Sequence, residues 1–150
     1  MKTRGFEIVS GYQGRGVTLP QRKTGKSAGY DLQAARTVVV APGGTAMVPT
    51  GLKAYMQDDE VLTIHIRSSM AVKRGLMLVN NVGIIDADYY NNEDNEGHIF
   101  IALWNRGRET VTIESGERIA QGIFMKYLTV DGDAAGEGEA RTGGFGSTKR

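Results

Sequence analysis

Residues 61–75 read VLTIHIRSSMAVKRG and contain the two local patterns from which this chain is built. The first six residues are rich in β-branched and apolar side chains, which predicts a strand. Residues 68–74 predict a short helix, with a serine cap at the start and Gly75 as the stop signal. This is the one stretch of the sequence with a helical pattern, so strands must form most of the fold.

Further β-forming runs lie on both sides of this stretch, and they are separated by turn formers such as residues 41–44 (APGG) and 115–116 (SG). The predicted strands cover residues 37–40, 46–49, 52–56, 61–66, 76–79, 99–104, 110–113 and 119–130. Many short strands joined by tight turns are typical of a barrel or sandwich. The sequence therefore predicts an all-β fold.

The bulk composition narrows the classes of function. A chain of 150 residues is most simply one domain. Its 18 basic and 17 acidic residues give a net charge of +1, so we expect no general attraction to nucleic acid or to a membrane surface. There is no apolar run of membrane-spanning length and no signal-peptide core. The absence of cysteine fits a reducing cytoplasm, and two histidines are too few for a multi-histidine metal site.

The chain is expected to end in a flexible linker and an arm. Residues 131–139 contain four carboxylates and no cation among glycines and alanines, a composition typical of a linker. We therefore divide the chain into a barrel (residues 1–130), a linker (131–140) and an arm (141–150). The arm reads RTGGFGSTKR, and its glycines, hydroxyls and cations suit phosphate binding, while Phe145 could stack on a base. The alternative is a solvated tail.

Two internal stretches also carry candidate chemistry. Arg67-Ser68-Ser69 offers a guanidinium and two hydroxyls to an anion where a strand meets the helix, although it could equally be a cap beside a surface arginine. In residues 84–89 (IIDADY) two apolar residues lead into Asp86, which is a candidate general base at the end of a buried strand. The alternative is a turn.

Three isolated polar residues complete the set of candidates. The Asn80 amide can both donate and accept, as recognition of a base edge requires. Asp31 follows a glycine turn and could face hydrated Mg²⁺, which takes few protein ligands, although such an aspartate more often caps a turn. Gln121 lies in a predicted strand and is a possible phosphate donor.

Five stretches together resemble the motifs of the trimeric deoxyuridine triphosphatase (dUTPase) family, in the family's order. They are residues 28–32 (AGYDL), 67–71 (RSSMA), 83–89 (GIIDADY), 116–121 (GERIAQ) and 141–148 (RTGGFGST). The resemblance implies a jelly-roll-like β-barrel and a homotrimer with three shared active sites and mobile arms. It also implies a Mg²⁺-dependent dUTP diphosphatase in the cytoplasm. Such an enzyme forms dUMP and pyrophosphate, limits uracil in DNA and supplies dUMP for dTMP synthesis.

The resemblance assigns roles to individual residues. It implies that Asp86 activates the attacking water for attack at the α-phosphorus and that Asp31 lies near Mg²⁺ through water, with no direct protein ligand. It places Tyr89 against the deoxyribose and Phe145 over the uracil. The substrate contacts implied are Arg67, Ser68, Ser69, Asn80, Ile84, Ile85, Tyr89, Phe100, Gln121, Arg141, Phe145, Gly146, Ser147 and Thr148.

The sequence departs from the family pattern in two places. Residues 90–96 (YNNEDNE) intervene between Tyr89 and Gly97, where the hairpin is usually short, so the match to Phe100 depends on the placement of this insertion. Such insertions resemble those of low-GC Gram-positive bacteria and their phages. Lys149 replaces the usual glycine. The alternatives are a dCTP deaminase or bifunctional relative, and a phage regulatory protein that would bind its partner through residues 90–96.

Overall fold

The structure is a computed structural model that describes residues 2–135, 141 and 143–145. Its strands are β1 (Gly5–Ile8), β2 (Tyr30–Gln33), β3 (Val38–Val40), β4 (Thr45–Pro49), β5 (Leu52–Tyr55), β6 (Glu60–Ile66), β7 (Leu76–Leu78), β8 (Gly83–Asp86), β9 (Phe100–Asn105), β10 (Val111–Ile113) and β11 (Arg118–Lys126). One α-helix, α1 (Ser68–Arg74), and two 3₁₀ turns (Ser10–Tyr12 and Ala87–Tyr89) complete the described structure. The all-β prediction is confirmed.

The strands pair antiparallel in four small sheets. Their orders are β2-β11-β6-β8, β4-β9-β7, β1-β5 and β10-β3. Residues near the middle of these strands alternate between the interior and the surface, as the two-residue period of a strand requires. Leu62 on β6, Leu103 on β9 and Ile119 on β11 are fully buried and meet in one apolar core.

The eight predicted strands all have counterparts, and three observed strands, β1, β2 and β8, were not among them. β8 was anticipated only as the strand that leads to Asp86. β1 (GFEI) and β2 (YDLQ) each contain only two large aliphatic or aromatic side chains among glycine or polar residues, so no β-rich run stands out. The prediction for residues 119–130 is too long, because β11 ends at Lys126 with the last residues paired to β6. Leu128 and Val130 are exposed instead.

The helix confirms its predicted bounds and its stop but not its cap. Gly75 adopts φ 67°, in the left-handed region that favours glycine after a helix. The predicted serine cap is wrong. Arg67 occupies the cap position in extended backbone, because its N–H is still bonded to the Ile119 carbonyl, and Ser68 already belongs to the helix. Among the described residues, no helix is long and apolar enough to cross a membrane.

Candidate functional site

A pocket of about 250 Å³ lies between the ends of β8 and β9. Its walls are mainly apolar, which is typical of a small-molecule site with a few convergent polar groups. The pocket brings together these residues singled out from the sequence: Asn80, Ile84, Ile85, Asp86, Tyr89, Phe100, Arg141 and Phe145. The placement of Phe100 in this wall shows that the insertion loops out before β9 without displacing the strand.

Asp86 lies at the rim of this pocket. It ends β8, an edge strand that pairs only with β6 among the described strands. The expectation of a buried strand is wrong, because β8 alternates half-buried and exposed residues and the Asp86 side chain is 50% exposed. The carboxylate is therefore open to water, as a base that activates water must be.

Two carboxylates share one guanidinium at the rim. Residues Ala87–Tyr89 form a 3₁₀ turn after the end of β8. Arg141 donates from Nη2 to Asp86 Oδ2 at 2.6 Å and from Nε to Asp88 Oδ1 at 2.7 Å. The arginine side chain is only 17% exposed, so the first residue of the arm is held firmly against β8.

Tyr89 forms a rigid wall of the pocket. The residue is 5% exposed, and its hydroxyl donates to the His98 carbonyl at 2.7 Å and accepts from Asn95 Nδ2 at 2.8 Å. Burial raises the pKa of the Tyr89 hydroxyl, so it stays protonated and keeps its donor role. A planar surface fixed in this way can lie against a flat or cyclic ligand group.

His98 packs against Phe100, which lines the pocket. Its Nε2 accepts the Gly51 N–H at 2.9 Å, and its ring centroid lies 4.2 Å from that of Phe100. Burial lowers the pKa of His98, and the nearby Glu96 carboxylate only partly opposes this effect. The folded protein therefore holds the neutral imidazole that the Gly51 contact requires.

The free energy of unfolding is expected to fall as the pH drops below about 6.5, because the unfolded His98 then binds a proton that the folded one resists. No further stability is lost through this residue once the pH is below the lowered pKa of His98 in the folded protein. Urea unfolding at about pH 7.5, 6.5 and 5.5 measures the free energy of unfolding across this range. His98→Gln should flatten this dependence, whereas the matched variant His65→Gln should retain it; equal slopes for both variants would contradict this.

A second polar cluster lies at the other end of β6. Asp31 on β2 is 3.7 Å from Arg67 Nε and 3.3 Å from Arg118 Nη1, measured from its carboxylate oxygens. Gln121 is the cross-strand partner of Asp31. Ser68 and Ser69 follow Arg67 in the first turn of α1. Two guanidiniums, two hydroxyls and an amide in one place suit an anion such as a phosphate chain.

The side chains around Asp31 indicate how the expected Mg²⁺ would be held. Within residues 2–135, 141 and 143–145, there is no cluster of three metal-ligating side chains. Asp31 is a single carboxylate already paired with arginines, which fits contact with a metal through water better than direct ligation. The residues present therefore fit a magnesium ion that arrives with phosphate oxygens and waters as its main ligands.

The pocket and the second cluster are far apart within one chain. Asp86 pairs with Val61 on β6, whereas Arg67 follows the end of that strand six residues further on. Because a strand rises about 3.3 Å per residue, this separation is about 20 Å. One chain thus holds two incomplete groups of the residues predicted to share a site.

Two residues at these groups were missed as partners by the sequence reasoning. Asp88 shares Arg141 with Asp86, and Arg118 pairs with Asp31. The two-residue spacing of Asp86 and Asp88 could be read from the sequence, but their shared contact with Arg141 could not. The predicted contacts Gly146, Ser147 and Thr148 lie outside the described residues, as do Lys149 and linker residues 136–140, so the linker and arm boundaries stay a prediction.

The fold and the pocket define a small jelly-roll-like β protein with a carboxylate-rimmed ligand site. The family model described as dUTPase matches residues 15–149. The chain is 57% identical over 148 residues to a deoxyuridine 5'-triphosphate nucleotidohydrolase of Lactococcus lactis, covering 99% of both chains. The chain therefore belongs to the dUTPase family, as the five motifs predicted.

Solved structures agree with this assignment. The dUTPase from Streptococcus mutans is 50% identical and matches with a TM-score of 0.82, covering 85% of this chain and 99% of that one. This likeness confirms the predicted jelly-roll-like fold. A dUTPase from phage phi11 of S. aureus, whose structure shows coordination of a structural Mg(II) ion, is 22% identical with a TM-score of 0.71, covering 87% and 94% of the two chains. At that identity it supports the fold alone.

Proposed function

We propose that the protein hydrolyses dUTP to dUMP and pyrophosphate in the cytoplasm. The observation that carries the proposal is the pocket in which Asn80, Asp86 and Tyr89 meet the arm residues Arg141 and Phe145. This is the set that an enzyme needs to hold a base, a sugar and a reacting phosphate side by side. Family membership and relatives named as deoxyuridine 5'-triphosphate nucleotidohydrolases support the choice of substrate.

Uracil would be recognised by hydrogen bonds to backbone groups at the mouth of the pocket. The outer edge of β8 has no partner strand among the described residues, so its N–H and C=O groups can pair with a base as they would with another strand. Ile84, with Ile85 beside it, would supply such groups from β8, and Phe100 lines the same pocket at the start of β9. With the Asn80 amide, this pattern would reject cytosine, because an exchanged donor and acceptor leaves buried groups unpaired.

The sugar would lie against Tyr89, and the base under Phe145. The Tyr89 ring cannot retreat, since its hydroxyl is bonded on both sides, so a 2′-hydroxyl pressed against it has no room. Phe145 lines the pocket yet is 70% exposed, as a ring that waits for a stacking partner would be. Selection of deoxyuridine over uridine follows from the rigid wall.

Asp86 would act as the general base. Its rim position allows it to take a proton from a water that attacks the α-phosphorus from the open side. In the structure Arg141 donates to this carboxylate and to that of Asp88. A triphosphate offers the guanidinium stronger acceptors, so its binding would draw Arg141 toward phosphate and release Asp86 for the proton transfer.

The phosphate chain would be held by Arg67, Ser68, Ser69 and Gln121, with Mg²⁺ near Asp31 through water. The ion, when bound, neutralises charge on the triphosphate and makes pyrophosphate a better leaving group. The protein's own contribution is a fixed row of donors that needs no rearrangement when charge shifts toward the leaving group.

The separation of about 20 Å between Asp86 and Arg67 implies that a complete site takes these residues from neighbouring copies, because a strand of six residues spans that length. We propose a homotrimer with three such shared sites, in agreement with the family resemblance. Each copy would supply the base and uracil pocket to one site and the phosphate cluster to another.

Sedimentation should give three times the 16.2 kDa chain mass at assay concentrations. Mixed oligomers refolded from equal amounts of inactive Asp86→Asn and Arg67→Ala chains should regain about a quarter of the sites, because unmutated halves then meet across an interface. A fully active monomer, or mixed oligomers as inactive as their parents, would overturn the shared site.

The reaction products distinguish the proposed dUTP hydrolysis from the activity of a related dCTP deaminase. Purified protein with Mg²⁺ should release pyrophosphate from dUTP and no ammonia from dCTP, and chelation of Mg²⁺ should lower the rate. Ammonia from dCTP without pyrophosphate from dUTP would overturn the proposal in favour of deamination. A regulatory partner for residues 90–96 stays a prediction from the sequence, since the contacts described for this segment are within the chain.

A further inference from the structure

Residues 90–96, which we name the insertion loop, are held to the body of the protein at both ends. At the end of the loop, the Glu96 carboxylate accepts from Ser10 Oγ at 2.6 Å and from Lys53 Nζ at 2.8 Å. Hydrogen bonds from Lys53 and then Ser10 lower the pKa of Glu96 to about 2, so the carboxylate stays ionised at neutral pH. At the start of the loop, Lys53 Nζ also donates to Asn91 Oδ1 at 2.6 Å. One cation on β5 thus ties the two ends of the loop together.

Two asparagine side chains inside the loop have amide orientations that backbone N–H groups fix. Asn92 is buried, and its Oδ1 accepts the N–H groups of Asp94 and Asn95 at 3.0 Å each. The Oδ1 of Asn95 accepts the Gly97 N–H at 3.0 Å and the Nδ2 group of Asn92 at 2.8 Å. Because a backbone N–H can only donate, its partner in each amide must be the oxygen. The Nδ2 group of Asn95 is therefore free to donate elsewhere.

The Tyr89 hydroxyl lies at the end of this series of hydrogen bonds. Asn95 Nδ2 donates to the phenol oxygen at 2.8 Å, so the phenol proton is directed to the His98 carbonyl at 2.7 Å. A phenol has one proton, and this one bonds on two sides because Asn95 supplies a second donor. Asn95 is thus one of two hydrogen-bond partners that fix the tip of the Tyr89 ring.

The insertion loop also holds the backbone of Tyr89. Asn92 Nδ2 donates to the Tyr89 carbonyl at 2.7 Å. The chain leaves the loop through Gly97, which has φ 90° and where an added Cβ would stand 2.8 Å from the same carbonyl oxygen. The loop therefore contacts Tyr89 at its hydroxyl and at its backbone, and both contacts come from residues that the usual short hairpin would lack.

We propose that Asn95 is a positioning residue which determines sugar specificity: by donating to the Tyr89 hydroxyl, it holds the ring where a 2′-hydroxyl has no room. The insertion loop then sets the preference for deoxyribose over ribose. The inference rests on the proposed function, because it concerns the sugar of the same substrate. Asn95 is not among the residues that line the pocket, so it acts through Tyr89.

The preference follows from the movement that each nucleotide requires. UTP fits only if the Tyr89 ring moves away from the 2′-hydroxyl, and this movement breaks the bond from Asn95. dUTP fits the pocket with the ring in place. Loss of the bond therefore lowers the cost of accepting UTP and leaves dUTP nearly unaffected.

Asn95→Asp tests this role with almost no change of shape. The new carboxylate still accepts from Asn92 and Gly97, but it faces the Tyr89 hydroxyl with an acceptor in place of a donor. Two acceptors then compete for one phenol proton, and the one left without it repels the phenol oxygen. The ratio of kcat/KM for dUTP to that for UTP should fall about tenfold, close to the effect of one buried polar group left unpaired.

The ratio of kcat/KM for dUTP to that for dCTP is the internal control. It should stay within about twofold in Asn95→Asp, because base recognition uses other residues of the pocket. The folded fraction cancels in each ratio, since both substrates are measured on one preparation. Asn95→Ala removes the donor without adding an acceptor, so its dUTP-to-UTP ratio should fall in the same direction, by about fivefold. The matched variant Asn91→Asp adds the same charge to the same loop and still accepts from Lys53, so both of its ratios should match those of the unmodified protein.

Tyr89→Phe shows whether the effect passes through the hydroxyl. In that background Asn95→Asp should change the dUTP-to-UTP ratio by less than about twofold, because the bond that couples the two residues is already absent. An unchanged ratio in both Asn95 variants, an equal fall of both ratios, or an equally large effect in the Tyr89→Phe background would overturn the role of Asn95. In each of these cases hydrolysis of dUTP by the unmodified protein leaves the proposed function standing, whereas an unmodified protein inactive on dUTP overturns both.

Discussion

Asp86→Asn is expected to lower kcat for dUTP by about 10²–10⁴-fold, the usual cost of removing a general base. The amide has nearly the same shape, and its oxygen can still accept from Arg141, but it cannot take a proton from water. Nucleotide affinity and the free energy of unfolding should change little, because the carboxylate is half exposed outside the core. Steady-state pyrophosphate release measures kcat, titration calorimetry measures nucleotide affinity, and urea unfolding measures the free energy of unfolding.

Asp88→Asn is the matched control for this substitution. Asp88 shares the Arg141 guanidinium but is not assigned the proton transfer, so its loss should cost much less turnover than that of Asp86. Near-normal turnover of Asp86→Asn, or equal losses in the two variants, would refute the assignment of the base.

A chain that ends at residue 140 is expected to lose about 10³-fold or more in kcat/KM for dUTP, since both a stacking ring and a phosphate-binding cation are removed. Thermal unfolding should stay close to that of the full chain, because the apolar core contains no described residue of the arm. Stopped-assay kinetics and calorimetric melting on the same preparations test the two halves of this expectation.

Two point variants separate the parts of the arm. Phe145→Ala removes stacking, worth roughly 1–3 kcal/mol, or about 5–150-fold in kcat/KM. Arg141→Ala removes a charge-stabilising donor, with an expected loss on the order of 10²-fold. A truncated chain as active as the full one would show that the arm is a solvated tail and that its contacts with Asp86 and Asp88 serve no catalytic purpose.

The parts of the fold that sequence reasoning recovered are those with a strong local pattern. Residues 61–66 (VLTIHI) and 99–104 (IFIALW) are runs of mainly β-branched and apolar residues, and both form strands. β1 and β2 are as short as the turns around them, and their strand conformation comes from pairing with β5 and β11. Such pairing is a tertiary effect that leaves no local signal.

For the candidate site, as for the fold, one part could be predicted from the sequence and another part could not. The residue types for base, sugar and phosphate recognition could be assigned from the five motifs, and the pocket contains Asn80, Asp86, Tyr89 and Phe145. The contacts of Arg141 with Asp86 and Asp88 join residues far apart in the chain, so no spacing could reveal them. The 3₁₀ turn at Ala87–Tyr89, in which Asp88 reaches Arg141, also has no clear signal in the motif.

The most direct test of the proposed function is the ratio of kcat/KM values for pyrophosphate release from dUTP, dCTP, dTTP and UTP under one set of conditions with Mg²⁺. A pocket that recognises uracil through backbone groups and packs Tyr89 on deoxyribose predicts a preference of at least about 10²-fold for dUTP over dCTP and over UTP. Comparable values for dUTP and dCTP, or for dUTP and UTP, would contradict it.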